Sequence, residues 1–152
     1  MKMTIYTLLL VIHIIAAVCG LGATFALPFV MKLPKTVSQA KFAFEINEKV
    51  EVLAKIGSLT LLGTGLLMGF LNLSLFKEIW FDASLAIYIL IQPIVAKILP
   101  DKIKLQMKTL ENHKEETLPE EYKTIAKQMV PYNNIAHIAA IVLIILMTIK
   151  PF

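Results

Sequence analysis

TIYTLLLVIHIIAAVCGLGATFALPFVM, residues 4–31, decides the fold. It holds no Asp, Glu, Lys or Arg, and its only groups ionisable near neutral pH are His13 and Cys19. As a helix, it is long enough to cross the roughly 30 Å hydrocarbon core of a bilayer. It exceeds the apolar region of a signal peptide, and Pro28-Phe29-Val30-Met31 is a poor cleavage site, so it reads as a retained span. A lone cysteine forms no intramolecular disulfide, and Cys19 inside a span reads as a small apolar filler.

Three further stretches have the same character: residues 56–76 without a charge, 83–99 with only Lys97 near its end, and 128–149 with His137 and Tyr132. The chain is 57% hydrophobic and 17% charged, well below the charge of a soluble domain. Its length suits one domain over residues 1–152, with connections at about 32–55 and 100–127. No segment suggests β-structure. The expected fold is all-α: a four-helix transmembrane up-down bundle with helices extended into the cytoplasm.

The net charge of +4 comes from 15 lysines, no arginine and 11 acids. The lysines flank spans, interleave with acids and form no aromatic-studded basic stripe, which excludes a nucleic-acid partner. Lys32, Lys35, Lys41, Lys49, Lys55, Lys97, Lys102, Lys104, Lys108, Lys114, Lys123 and Lys127 fall on the side of the two long connections. Lys2, Lys77 and Lys150 fall on the other. The positive-inside rule then predicts both termini outside and both connections in the cytoplasm, with Trp80 an interfacial anchor. The i, i+4 pairs Lys41–Glu45–Lys49 and Glu51–Lys55 predict a solvated extension of the second helix. Thr117-Leu118-Pro119-Glu120-Glu121 reads as a helix start, which places Pro131 inside the fourth helix.

An ionisable side chain within a span is costly and marks a candidate site. Counted at ~1.5 Å per residue, His13 lies roughly 16 Å inward from Lys2 and His137 roughly 20 Å from Lys150. The two imidazoles are therefore expected at similar depth, together with Thr64 and Gln92 at about 18–20 Å. They would be axial ligands of a b-type haem held between helices, with Thr64, Gln92 and Asn134 as supporting polar groups. Gly20 and Gly65 would give clearance. Copper at the same histidines is an alternative, as is a structural role, with each imidazole bonded to Thr, Asn or Gln across helices. The small-xxx-small pairs Ala16/Gly20 and Gly65/Gly69 predict close helix contact. His113, among Glu111, Lys114, Glu115 and Glu116, reads as solvated. No nucleophile elbow, P-loop, zinc-type cysteine cluster or dinucleotide fingerprint is present.

Ile12-His13-Ile14-Ile15-Ala16-Ala17, Thr64-Gly65-Leu66-Leu67, Trp80 to Leu85, Leu118-Pro119-Glu120-Glu121-Tyr122 and Met147-Thr148-Ile149-Lys150-Pro151 carry a resemblance over nearly the whole chain. The chain resembles uncharacterised four-span bacterial integral membrane proteins of the CopD-like group. More distantly, through His13 and Lys150-Pro151-Phe152, it is similar to the HemJ-type membrane protoporphyrinogen oxidases. Ser84 stands where the lysine of that second family would fall. The resemblance implies a bacterial inner-membrane location and porphyrin handling at His13. The functional expectation is thus a membrane haem- or porphyrin-binding protein. A non-enzymatic accessory subunit, partnered through its cytoplasmic helices or as a homo-oligomer, is the alternative, and copper handling a further one.

Overall fold

Thr4 opens the first helix by accepting a hydrogen bond from the Thr7 amide, and Thr36 opens the second by accepting from Gln39 N. A threonine at the N-cap satisfies one of the four amides a helix start leaves bare. The computed structural model describes residues 4–111 and 113–151; Lys2 and Phe152, which entered the depth count and the resemblance, lie outside the described residues. The elements are α1 (Ile5–Val30), α2 (Val37–Leu71), a 3₁₀ turn (Leu73–Lys77), α3 (Ile79–Pro93), a π-helical turn (Ile94–Ile98), α4 (Leu99–Glu111) and α5 (Glu120–Ile149). α3, the π turn and α4 run on as one 33-residue helix. The four resulting helices are each long and apolar enough to cross a bilayer, and the fold is an all-α bundle.

Prolines shape the long helices. Pro93 and Pro100 each remove an amide from the ladder, and the helix widens to π pitch between them. α5 continues through Pro131. The missing Pro131 amide frees the carbonyl of Lys127, an exposed residue near the polar start of the helix.

At the end carrying the two long connections, α2 begins well before its apolar part, and α4 and α5 pack beside it. Val37, Ala40, Phe44, Leu110 and Tyr122 form a buried core there, bordered by Met31, Ile103 and Leu118. The connection between α4 and α5 clasps the start of α2. Val37 N donates to Glu116 O at 2.9 Å, and Ser38 Oγ and N donate to the Glu116 carboxylate at 2.6 and 3.3 Å. A carboxylate suits the positive end of a helix dipole. Those two hydrogen bonds hold the Glu116 carboxyl below the ordinary carboxylate range.

At the opposite end Trp80 is only 7% exposed. It lies in the first turn of α3, edge-on to Phe81 and beneath Lys150 Nζ, 5.3 Å from the ring. The expected interfacial anchor is therefore enclosed by its own helix ends rather than standing free in the interface.

Candidate functional site

α1 and α2 touch backbone to backbone. A Cβ built on Gly57 would fall 2.6 Å from Gly20 N and 2.9 Å from Ala16 O. Ala16 and Gly20 thus make the close contact expected of them, but on Gly57. Gly69 clears Phe76 and Phe81, and Gly65 clears His13, whose Cε1 would lie 3.3 Å from an added Cβ.

His13 is fixed by that floor and by Thr64. Its Nδ1 lies 2.8 Å from Thr64 Oγ1. The single hydroxyl proton of Thr64 is directed back along its own helix, to Thr60 O at 2.7 Å and Leu61 O at 3.2 Å. With that proton so placed, Thr64 Oγ1 accepts from His13 Nδ1–H, and Nε2 holds a lone pair when the ring is neutral.

His137 is bound elsewhere. Its Nε2 lies 2.8 Å from Thr24 O, and its ring stacks on Phe25 at 5.2 Å with planes 9° apart. A carbonyl only accepts, so Nε2 is the protonated nitrogen. His137 is a strut between α5 and α1. The structural reading, a histidine bonded across helices, describes the geometry of both rings.

The two histidines are not brought together. Thr24 lies eleven residues beyond His13 on α1, about 16 Å along the helix. Two imidazoles on one metal need their ligating nitrogens within about 4 Å, twice a metal–nitrogen bond. A haem or copper ion clamped by both does not fit. The depth count went astray because it placed both chain ends in one plane. α1 begins 19 residues before Thr24, whereas α5 ends 12 residues after His137. α1 thus reaches about 10 Å further toward the Trp80 end.

The polar groups that do converge line a cleft of about 440 Å³. The helices form a ring open on one side: α1 packs along α2, α5 packs along α3 and α4, and the two pairs meet through α1–α5 and α2–α4. Among the described residues no Cα of α2 comes within 8 Å of one in α3. Gly20, Gln92 and Asn133 face the cleft, with Asn47, Glu51, Ser58, Tyr88 and Gln106. Thr64, Gly65 and the two histidines are not among its lining, and the exposed Asn134 points away. Sequence reasoning had signalled Gln92 and Gly20. It missed Asn47 and Gln106, which share a sequence neighbourhood with solvated charges, and Tyr88, which looked like one more aromatic in an apolar run.

Asn47 is 3% exposed, and its Oδ1 is shut from solvent with no hydrogen-bond partner. Glu51, one turn along α2, is paired with Lys55 at 2.7 Å. Tyr88 OH donates to Ser58 O at 2.7 Å and meets Ser58 Oγ, tying α3 to α2 across the open side. Among the described residues no three His, Cys, Asp or Glu side chains gather where a metal ion would be held.

Four apolar spans, a buried core at the connection end and a cleft between two helix pairs define a polytopic integral membrane protein. The chain belongs to the family described as "Predicted integral membrane protein (DUF2269)", whose model matches residues 7–151. No curated protein and no solved structure matches it significantly.

Proposed function

We propose that this protein binds a lipid-soluble, amphipathic small molecule within the membrane, in the cleft between the α1–α2 and α3–α5 pairs. One observation carries the reading: a void of about 440 Å³ inside a bundle whose α1–α2 interface is in backbone contact. That volume falls in the range of small-molecule sites, and the lining has their usual composition, mostly apolar with a few placed polar groups. The pocket sits between helices, where bundles hold ligands. The lysine asymmetry supports an inner-membrane orientation with the connections in the cytoplasm.

The test is photolabelling in lipid nanodiscs with a diazirine analogue of monooleoylglycerol. Saturable labelling of cleft residues, competed by unlabelled monooleoylglycerol and lost in Ala139→Phe, supports the reading. Unsaturable labelling spread over lipid-facing residues such as Ile138 and Ile141, indifferent to Ala139→Phe, sinks it.

A second reading has one observation in its favour. His13 offers an Nε2 lone pair on a ring held by Thr64 and Gly65, the arrangement of a solitary axial ligand. Porphyrin handling would then rest on His13 alone. It predicts a Soret shift on haemin titration that disappears in His13→Ala and persists in His137→Ala. Equal loss in both variants, or no shift, counts against it.

A further inference from the structure

We propose that two copies of this chain pair in the membrane through the outer face of α5, with Asn134 hydrogen-bonded to the partner's Asn134 across a two-fold axis. The pairing does not depend on what the cleft holds.

Asn134 stands where a carboxamide is costly. At 3.6 residues per turn it projects from the side of α5 opposite the buried Ala136, Ala140 and Leu143. It is exposed, and so are Val130 and Ile138 on the same side of the helix. Lys127 and Lys150 bracket the apolar part of α5. Asn134 is seven residues from the first and sixteen from the second, about 10 Å and about 24 Å along the helix. It therefore lies inside a hydrocarbon core roughly 30 Å thick. Its short side chain does not reach the headgroups as a lysine's does. Among the described residues its polar neighbours are engaged elsewhere: Gln128 accepts from Lys102, and His137 is bound to Thr24 O. In the single chain the carboxamide meets only lipid, where each unsatisfied donor or acceptor is expensive.

The same face carries a seven-residue repeat. Steps of four, three, four and three residues lead from Asn134 to Ile138, Ile141, Ile145 and Thr148, all exposed. A 3.5-residue period keeps one stripe against a neighbour when two helices cross at about +20°. The stripe spans 14 residues, about 21 Å. Its isoleucines are stiff at χ1 and lose little freedom on packing. α5 packs on α1, α3 and α4 through its other sides, so this face is clear of the bundle.

The carboxamide identifies the occupant. A foreign helix would have to bring both a donor and an acceptor to this depth. A second copy does so by construction. Two copies inserted in the same orientation have parallel α5 helices, and both Asn134 residues then lie at one level. Across a two-fold axis a patch meets itself, and a carboxamide is its own complement: each oxygen accepts from the other's N–H. Beyond Pro131 the helices must diverge toward the connection end, because Lys127 would otherwise face its own copy.

The experiment uses the full chain in liposomes, with Cys19→Ala as background. Photobleaching of dye-tagged chains counts copies, and energy transfer against protein-to-lipid ratio gives the association constant. Two copies per particle are expected. Asn134→Leu should weaken association about tenfold, for two interhelical hydrogen bonds in lipid. Asn134→Gln keeps the carboxamide and should retain most of the association. Because Asn134 is exposed, Asn134→Leu should leave the melting temperature of dilute, monomeric protein unchanged or higher. Oxidative cross-linking maps the face. Ile141→Cys and Ile145→Cys should give disulfide-linked dimers, and Ile135→Cys and Ile144→Cys, about a quarter-turn to either side, should not. Monomers at every ratio, or three or more copies, overturn the two-fold pair. Undiminished association in Asn134→Leu, or equal loss in Asn134→Gln, overturns the hydrogen bond. Cross-linking that favours Ile135→Cys or Ile144→Cys overturns the face.

Discussion

Adding one methyl group at Gly57 tests how the bundle is built. The new Cβ would fall 2.6 Å from Gly20 N, 2.9 Å from Ala16 O and 3.0 Å from Cys19 Cβ. The first two are backbone atoms of α1, so no rotamer change relieves the clash and the helices must separate. Overpacking of this kind costs about 1–3 kcal/mol. Gly63 on the same helix supplies the control, because a Cβ there meets nothing within 4 Å. Gly63→Ala gains helix propensity, up to about 1 kcal/mol. The two alanines, six residues apart in one helix, should therefore differ by about 1–4 kcal/mol. Dodecyl sulfate titration from mixed micelles, followed by helical circular dichroism, measures the difference. Ser58, next in sequence, holds the Tyr88 tie, so Gly57→Ala should also weaken probe binding in the cleft. If the two variants unfold within about 0.5 kcal/mol of each other, α1 and α2 are not in backbone contact and the account of a tight pair beside a loose one is wrong.

Thr64→Val takes the hydroxyl away from His13 Nδ1 and should destabilise by about 0.5–1.5 kcal/mol, the net worth of one hydrogen bond, while Thr64→Ser keeps the hydroxyl and costs less. The His13 ¹⁵N shifts report it directly: an Nδ1–H tautomer in the unmodified chain that is no longer enforced in Thr64→Val. His137→Phe keeps the stack on Phe25 and loses the bond to Thr24 O, an expected cost of about 0.5–1.5 kcal/mol; His137→Ala loses both and costs more. The clasp at Glu116 gives a pH dependence with a definite sign. The folded carboxyl titrates below its unfolded value, so the clasp is fully stabilising above the ordinary carboxylate range. It is lost as pH falls through the lower folded value. Glu116→Gln should flatten the acid limb of a melting-temperature profile; an acid limb unchanged in that variant refutes the assignment.

Much of the architecture was legible because hydropathy reports directly on the solvent a helix will meet. Four apolar runs gave four spans, the i, i+4 charge pairs around Lys49 and Glu51 gave the extended start of α2, and Pro119-Glu120-Glu121 gave the start of α5 well before its apolar part. The site was legible only in pieces. Residue counting fixes depth from a chosen plane, and the choice failed because α1 and α5 end at different levels. Depth also carries no rotation, and rotation decides whether Asn133 or its neighbour Asn134 faces the cleft. Trp80 shows the same limit: its place near a helix end was readable, and its burial under Lys150 and against Phe81 was not.

The cleft follows from where the small residues lie. Ala16, Gly20 and Gly57 meet on one another, so α1 and α2 close to backbone contact along that seam. No comparable small-residue seam joins α2 to α3: Leu59 and Ile89 line the two edges, and the α2 face toward the cleft carries Asn47, Glu51 and Lys55. Helix association in lipid depends on close packing and interhelical hydrogen bonds, so one pair holds tightly while the other rests on a tyrosine and a serine. Local opening should concentrate where buried contacts are fewest, on the α2–α3 side. A ligand seated between the two helix pairs would stabilise the loose side of the bundle, coupling occupancy of the cleft to closure of the α2–α3 side.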